Sequence, residues 1–289
     1  MALALFLSYS ILNIADLTTD GVFTLGCAVS AMICLKGHPL LAIFAAMAAG
    51  ALEGYVTAFL QTRLGVPSIL SGIIANVGLY SINLMVMGFS SNVSLFKTET
   101  IFTLGKALIG GQWYKLLIAA IITLIAGVFL YFFLNTTLGM SIRATGDNMD
   151  MVKASSINPA FTITVGLCIA NALTGLAGAV LSQYQRSSDI NLGTGMVVIG
   201  LASLIIGETL LGKRSMARWI FAAIFGSILY RIIIALALRF DIPAEMLKLV
   251  SAAIVALAIA LPALKVNIAL NRQRADQRKR RYAGGRGNA

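Results

Sequence analysis

The feature that most constrains this chain is a series of apolar blocks, at residues 1–14, 21–35, 39–62, 66–90, 115–136, 158–181, 196–212, 215–238 and 244–263. Most of them approach the ~20 residues that an α-helix needs to cross a bilayer. The hydrocarbon core holds no water to satisfy backbone N–H and C=O groups, so such blocks must be helical. Charged residues make up 11% of the 289-residue chain, against about a quarter in a soluble domain. A water-solvated fold of this size would lack the polar surface to cover itself, and that argues against a soluble enzyme. The expected fold is all-α, a polytopic transmembrane helical bundle of about eight or nine spans.

Orientation follows from the basic residues. The net charge is +11, and eight Lys or Arg against the single acid Asp276 fall between Lys265 and the C-terminus. A basic run directly after a last span reads as a cytoplasmic end obeying the positive-inside bias and touching anionic lipid, so no nucleic-acid partner is expected. Residues 1–264 then form the membrane domain and 265–289 a basic cytoplasmic tail. Counting back from that tail puts Arg63, Arg143, Lys153, Lys213, Arg214 and Arg218 inside, and Lys36, Lys97, Lys106, Lys115, Arg186 and Arg239 outside. The first block, fourteen residues, rises only ~21 Å as a helix, which suggests a native start further upstream. No cleavable signal peptide is evident.

A span, an Asp-containing polar break and a Gly-rich apolar run occur twice, at Asn13 to Gly21 and at Ser188 to Gly195. The two breaks fall on opposite sides in this topology. Blocks one to four would then match blocks six to nine as an inverted repeat, a transporter signature.

Catalytic constellations are missing. Gly207-Glu208-Thr209-Leu210-Leu211-Gly212-Lys213-Arg214 nearly spells a phosphate-binding loop, but Arg214 replaces the hydroxyl residue that would ligate Mg²⁺. The only histidine, His38, sits beside Pro39 in a short turn, and Cys27, Cys34 and Cys168 lack metal-ligand spacing. No cofactor or metal is therefore expected on this chain. Polar groups inside the spans say more, since they normally face protein or a water-filled path. Glu53, Asn76, Asn83, Asn171, Glu208 and Arg231 are such groups. Asn76 and Asn83 lie two turns apart on one helical face, as pathway lining or as interhelical hydrogen bonds. Gly50 and Gly54, flanking Glu53, fit close helix packing.

The break from Gly139 to Pro159 is long for a connection between spans. Asp147 or Asn148 could cap a short helix ending near Ser156, with Pro159 opening the next span. A short helix on the membrane face is either an ordinary loop helix or a docking element for a cytoplasmic partner.

This loop resembles the coupling loop of ABC importer permeases of the branched-chain amino acid and ribose superfamily, most closely the tryptophan/tyrosine branch. Further matching stretches are residues 13–26 (NIADLTTDGVFTLG), 80–84, 143–148 (RATGDN), 183–185, 198–208 (VIGLASLIIGE) and 227–239 (SILYRIIIALALR). The resemblance implies a multi-pass protein of a prokaryotic inner membrane that imports a small solute, an amino acid of aromatic type. It further implies a second permease copy as a homodimer, ABC ATPase subunits that carry the ATP and Mg, and an extracytoplasmic solute-binding protein. By the same resemblance Arg143, Gly146, Asp147, Asn148, Met151, Ser155 and Asn158 belong to the ATPase-coupling loop. Asp16, Thr18, Thr19, Asp20, Asn76 and Asn83 become candidates for the translocation pathway. Three features depart from the family: the short first block, Arg186 after the Gln-Tyr-Gln run, and the acid Glu53. A stand-alone secondary transporter is the alternative, with Glu53 or Glu208 as the titrating group; an intramembrane enzyme is a distant third.

Overall fold

The computed structural model describes residues 1–111 and 113–239 and four isolated positions, 249, 253, 256 and 260. The ninth apolar block, apart from those positions, and the basic tail lie outside the described residues.

The chain opens with α1 (Ala2–Ile11), whose second half, Phe6–Ile11, is wound as a π-helix. An irregular stretch over 12–18 follows, then α2 (Thr19–Leu35), α3 (Pro39–Thr62) and α4 (Ser68–Val86). A short strand β1 (Asn92–Ser94) precedes α5 (Ile101–Ile109) and α6 (Tyr114–Leu134). The connecting pair α7 (Thr137–Asp147) and α8 (Met149–Ala154) leads into the longest helix, α9 (Pro159–Gln185). After β2 (Ser187–Asp189) come α10 (Met196–Leu211) and α11 (Met216–Arg239).

The expected all-α bundle is present, with one small addition. β1 and β2 pair antiparallel, Val93 opposite Ser188, and form a two-stranded ribbon at one end of the bundle. The α7–α8 pair occupies the opposite end. Among the described residues, five helices are long and apolar enough to cross a membrane: α3, α4, α6, α9 and α11. Three apolar helices are shorter, α1, α2 and α10. α2 and α10 start beside one another among buried groups, Thr19 and Val197 being buried and Asp20 bridging the two starts.

Small residues build the central trio. A Cβ on Gly26 would collide with the Gly175 backbone, one on Gly50 with the Asn171 carbonyl, and one on Gly54 with the Leu167 carbonyl. Thus α2, α3 and α9 approach backbone to backbone, as small residues permit in membrane bundles. α10 and α11 form a second tight pair, with Gly207 against Ala222 and Gly226 against Ser203. Around these, Phe6, Leu7, Leu130, Leu134, Ile142, Leu167 and Leu204 form the largest apolar cluster, all fully buried.

Candidate functional site

The site begins where α1 ends. Ile11 and Leu12 lie near the α7–α8 end, because a Cβ on Gly166 would meet the Leu12 side chain near the start of α9. From there the chain turns back into the bundle through Asn13, which adopts a left-handed φ of 54°. Residues 12–18 carry no regular ladder, so their polar groups need other partners. Asp16 supplies them. Its Oδ1 accepts from the Thr18 N–H at 2.9 Å and the Thr18 hydroxyl at 2.5 Å. Its Oδ2 accepts from Nδ2 of Asn171, midway along α9, at 2.9 Å. Asp16, Thr18 and Asn171 are all buried.

Glu53 of α3 faces the same region. Its Oε1 accepts from the Thr57 hydroxyl at 2.6 Å, while Oε2 is buried without a hydrogen-bond partner among the described residues.

Asp20, in the first turn of α2, joins two helices. Its carboxylate accepts from the Gly195 N–H at 2.9 Å and the Val197 N–H at 2.8 Å, the first amides of α10. One acid therefore sits at the positive ends of two helix dipoles, where a negative charge is favoured. Thr24, one turn on, accepts from the Gly193 N–H at 3.1 Å. The initial turns of α2 and α10 are thereby fastened together within the bundle.

Asn76 and Asn83 do share a face of α4, and that face meets α2. Asn83 is buried and donates to the Gly21 carbonyl at 3.1 Å. A Cβ on Gly21 would stand 2.5 Å from Oδ1 of Asn76, which is half-buried. Thr19 is buried and donates to the Asp16 carbonyl. All six pathway candidates from the sequence thus gather around the start of α2.

The second group lies at the α7–α8 end. Asn148 caps α8, its Oδ1 accepting from the Asp150 and Met151 amides at 3.1 and 3.0 Å. α8 ends at Ala154, Asn158 caps α9 at the Ala160 amide, and Pro159 takes the first helical position. Asp147, Asn148, Met151, Ser155 and Asn158 are exposed, whereas Arg143 and Gly146 are half-buried. Val152 anchors α8 inward, and the Thr145 and Thr162 hydroxyls join α7 to α9 at 2.8 Å.

The two groups touch. A Cβ on Gly146 would collide with the Ile11 carbonyl, so α7 bears directly on the point where α1 turns into the 12–18 segment. Glycine is needed here for close approach.

Sequence reasoning missed several polar contacts. Glu208 Oε1 accepts from the Ser10 hydroxyl and the Trp219 indole, both at 2.6 Å, and Oε2 pairs with Lys213 at 2.9 Å. This ties α1, α10 and α11 together at the α7–α8 end. Residues 207–211 of the phosphate-loop lookalike are the last turns of α10, and Lys213 is engaged with Glu208. Gln183 donates to Ser30 and to the Pro39 carbonyl and accepts from the Ile101 amide, joining α9 to α2, α3 and α5. Only proximity in the fold reveals these partners.

A family model described as "Branched-chain amino acid transport system / permease component" matches residues 1–259. A tyrosine transport system permease protein of Clostridioides difficile is 34% identical over 93% of this chain and 88% of its own length. A nucleoside ABC transporter permease of Lactococcus lactis is 28% identical over 74% of this chain and 61% of its own length. A ribose import permease of Escherichia coli is 27% identical, over 67% and 60% respectively. No solved structure matches the chain.

Proposed function

This chain belongs to the permease-component family of branched-chain amino acid transport systems, and from that premise we propose that it is the membrane-spanning subunit of an ABC importer for an aromatic amino acid. The observation that carries the reading is the contact between Gly146 of α7 and the Ile11 carbonyl. In this reading α8, with Asp147, Asn148, Met151 and Ser155 exposed around it, seats in a groove of a partner ATPase. Displacement of α7 and α8 then moves Ile11, and with it the 12–18 segment and the start of α2.

That segment controls access. Asp16, held by Thr18 and Asn171, fixes its position against the trio α2, α3 and α9. Asp20 carries any shift to α10 through the Gly195 and Val197 amides. The tight trio and the tight α10–α11 pair behave as two stiff bodies, as packed interfaces do. They meet at Asp20 and Thr24, while Glu208 ties α1 to the α10–α11 pair through Ser10. Helices that begin inside a membrane domain and point their N-termini at a shared site are suited to solute pathways. Asp20, Asn76 and Asn83 border that place.

Substrate class is carried from the Clostridioides difficile relative, by name a tyrosine permease, which matches almost the whole chain. The finer arrangement belongs to the same proposal: a membrane domain over 1–264, eight or nine spans with α2 and α10 as counterparts in an inverted repeat, and a basic tail on the cytoplasmic side. It extends to a plasma-membrane location, a second permease copy, an extracytoplasmic solute-binding protein, and ATP with Mg bound by the ATPase alone.

The experiment is a gentle-detergent pull-down of the tagged chain from native membranes, with the co-purifying proteins identified by mass spectrometry. An ABC-type ATPase should be recovered, and Asp147→Arg or Met151→Arg should lose it while the chain stays folded. Recovery without an ATPase, from membranes shown to contain one, would sink the reading. The unpartnered Oε2 of Glu53 favours the second reading, a secondary transporter. Retention of ATP-driven uptake in Glu53→Gln supports the importer, and selective loss of pH-driven uptake supports the alternative.

A further inference from the structure

A groove between α3 and α9 at the α7–α8 end shares only the Asn158 cap of α9 with the contacts above. It encloses about 220 Å³, and its lining includes Tyr55, Phe59, Thr62, Arg63, Asn158 and Phe161. The wall is aromatic: Tyr55, Phe59 and Phe161 are 54%, 43% and 55% exposed. The mouth is polar and cationic, with Arg63 closing α3 and Asn158 opening α9. Tyr55 and Arg63 are separated by eight residues on one helix, so the groove grades from aromatic to cationic over ~12 Å. A bilayer grades from acyl chain to headgroup phosphate across a comparable boundary, where aromatic and basic residues concentrate.

Charge points the same way. The guanidinium of Arg63 makes no ion pair among the described residues. The N-terminus of the 27-residue helix α9 opens at the same mouth, and its dipole favours an anion. Arg63, Arg143, Lys153, Lys213, Arg214 and Arg218 outnumber Asp147, Asp150 and Glu208 at this end of the bundle. Both α3 and α9 are long and apolar enough to cross a membrane. A soluble anion would have no use for three exposed rings, and an apolar peptide none for the arginine.

We propose that this groove seats one anionic phospholipid, its phosphate between Arg63 and the start of α9 and an acyl chain along Tyr55, Phe59 and Phe161. The occupant's position beside Asn158 puts it next to α8, so the lipid would steady the surface that the partner ATPase meets. The proposal rests on the membrane-spanning character of α3 and α9, not on the transported substrate.

The test uses the purified full chain in detergent, back-titrated with phosphatidylglycerol or phosphatidylcholine and read by native mass spectrometry. One phosphatidylglycerol should be retained per chain in preference to phosphatidylcholine. Arg63→Gln should lower that preference about fivefold, the worth of one basic residue near an anionic surface. Arg218→Gln, basic and at the same end but outside the groove, should leave it unchanged, and Phe161→Ala should weaken retention of both lipids. An undiminished preference in Arg63→Gln overturns the proposal, even where its thermal midpoint falls, because Arg63 then serves only the α3 dipole. Displacement of phosphatidylglycerol by inorganic phosphate overturns it in favour of a soluble anion. Cross-linking of a Phe161→Cys chain to a second copy or to the ATPase, with no lipid retained, overturns it in favour of a protein contact.

Discussion

Replacing Asp20 by Ala removes the acceptor of the two amides that open α10, Gly195 N–H at 2.9 Å and Val197 N–H at 2.8 Å. A hydrogen bond to a charged group contributes about 1.5–3 kcal/mol net, and loss of a helix cap alone costs about 0.5–2 kcal/mol. The two bonds share one carboxylate and are not independent, so about 3 kcal/mol is a fair total. That corresponds to roughly a hundredfold rise in local opening at the start of α10. Asp20→Asn keeps one oxygen acceptor, loses the charge, and turns its amide toward one of the two N–H groups. It should fall near the midpoint, about tenfold. Hydrogen exchange of the 190–200 peptides in detergent reads this directly, since exchange reports local opening. The expected order of protection is wild type, then Asn, then Ala, with peptides from α9 unchanged. If Asp20→Ala stays within about threefold of wild type, the carboxylate is not what fastens α10 to α2, and the reasoning fails.

Gly146→Val should abolish uptake and lower the thermal midpoint, since its side chain must displace the Ile11 carbonyl; overpacking costs about 1–3 kcal/mol. Gly78→Ala is the control: nothing lies within 4 Å of the added carbon, and an alanine in a helix gains up to ~1 kcal/mol over glycine. An equal loss in both would show that helix α7 has no special bearing on α1. Gln183→Ala leaves the Ile101 amide and the Pro39 carbonyl without their partner, for a loss of about 2–4 kcal/mol, read as a lower melting midpoint. Glu208→Gln weakens the Lys213 pair and the Trp219 bond together. A changed indole fluorescence should accompany it, absent in a Glu208→Gln, Trp219→Phe double variant if Trp219 is the reporter.

How much could be read before the fold was known depended on whether the signal was local. Helix blocks are local, so α3, α6, α9 and α11 were legible to within a few residues. The Asn148 cap and the Pro159 start were legible for the same reason, because each acts within its own turn. Asp16 and Asp20 stood out as acids in a break, yet their work depends on Asn171 and on Gly195, 155 and 175 residues further along. No periodicity reports such pairing. Eight or nine spans were expected, and among the described residues five helices have crossing length while α1, α2 and α10 are shorter. Hydropathy records that a segment is buried, and it cannot distinguish a full crossing from a partial one. Asn-Val-Ser and Ser-Ser-Asp are too short and too polar to announce a strand, so the β1–β2 ribbon left no trace.

That ribbon has a consequence in time. Val93 and Ser188 are about 95 residues apart in the chain, so the first strand leaves the ribosome about 5–20 s before its partner can exist. Between them α5 to α9 must be made, and β1 waits without its strand partner until residues 187–189 follow α9. The ribbon can therefore close only after α5 to α9 have been made. A chain stalled before β2 carries β1 as an open strand edge, which is a template for pairing with another chain.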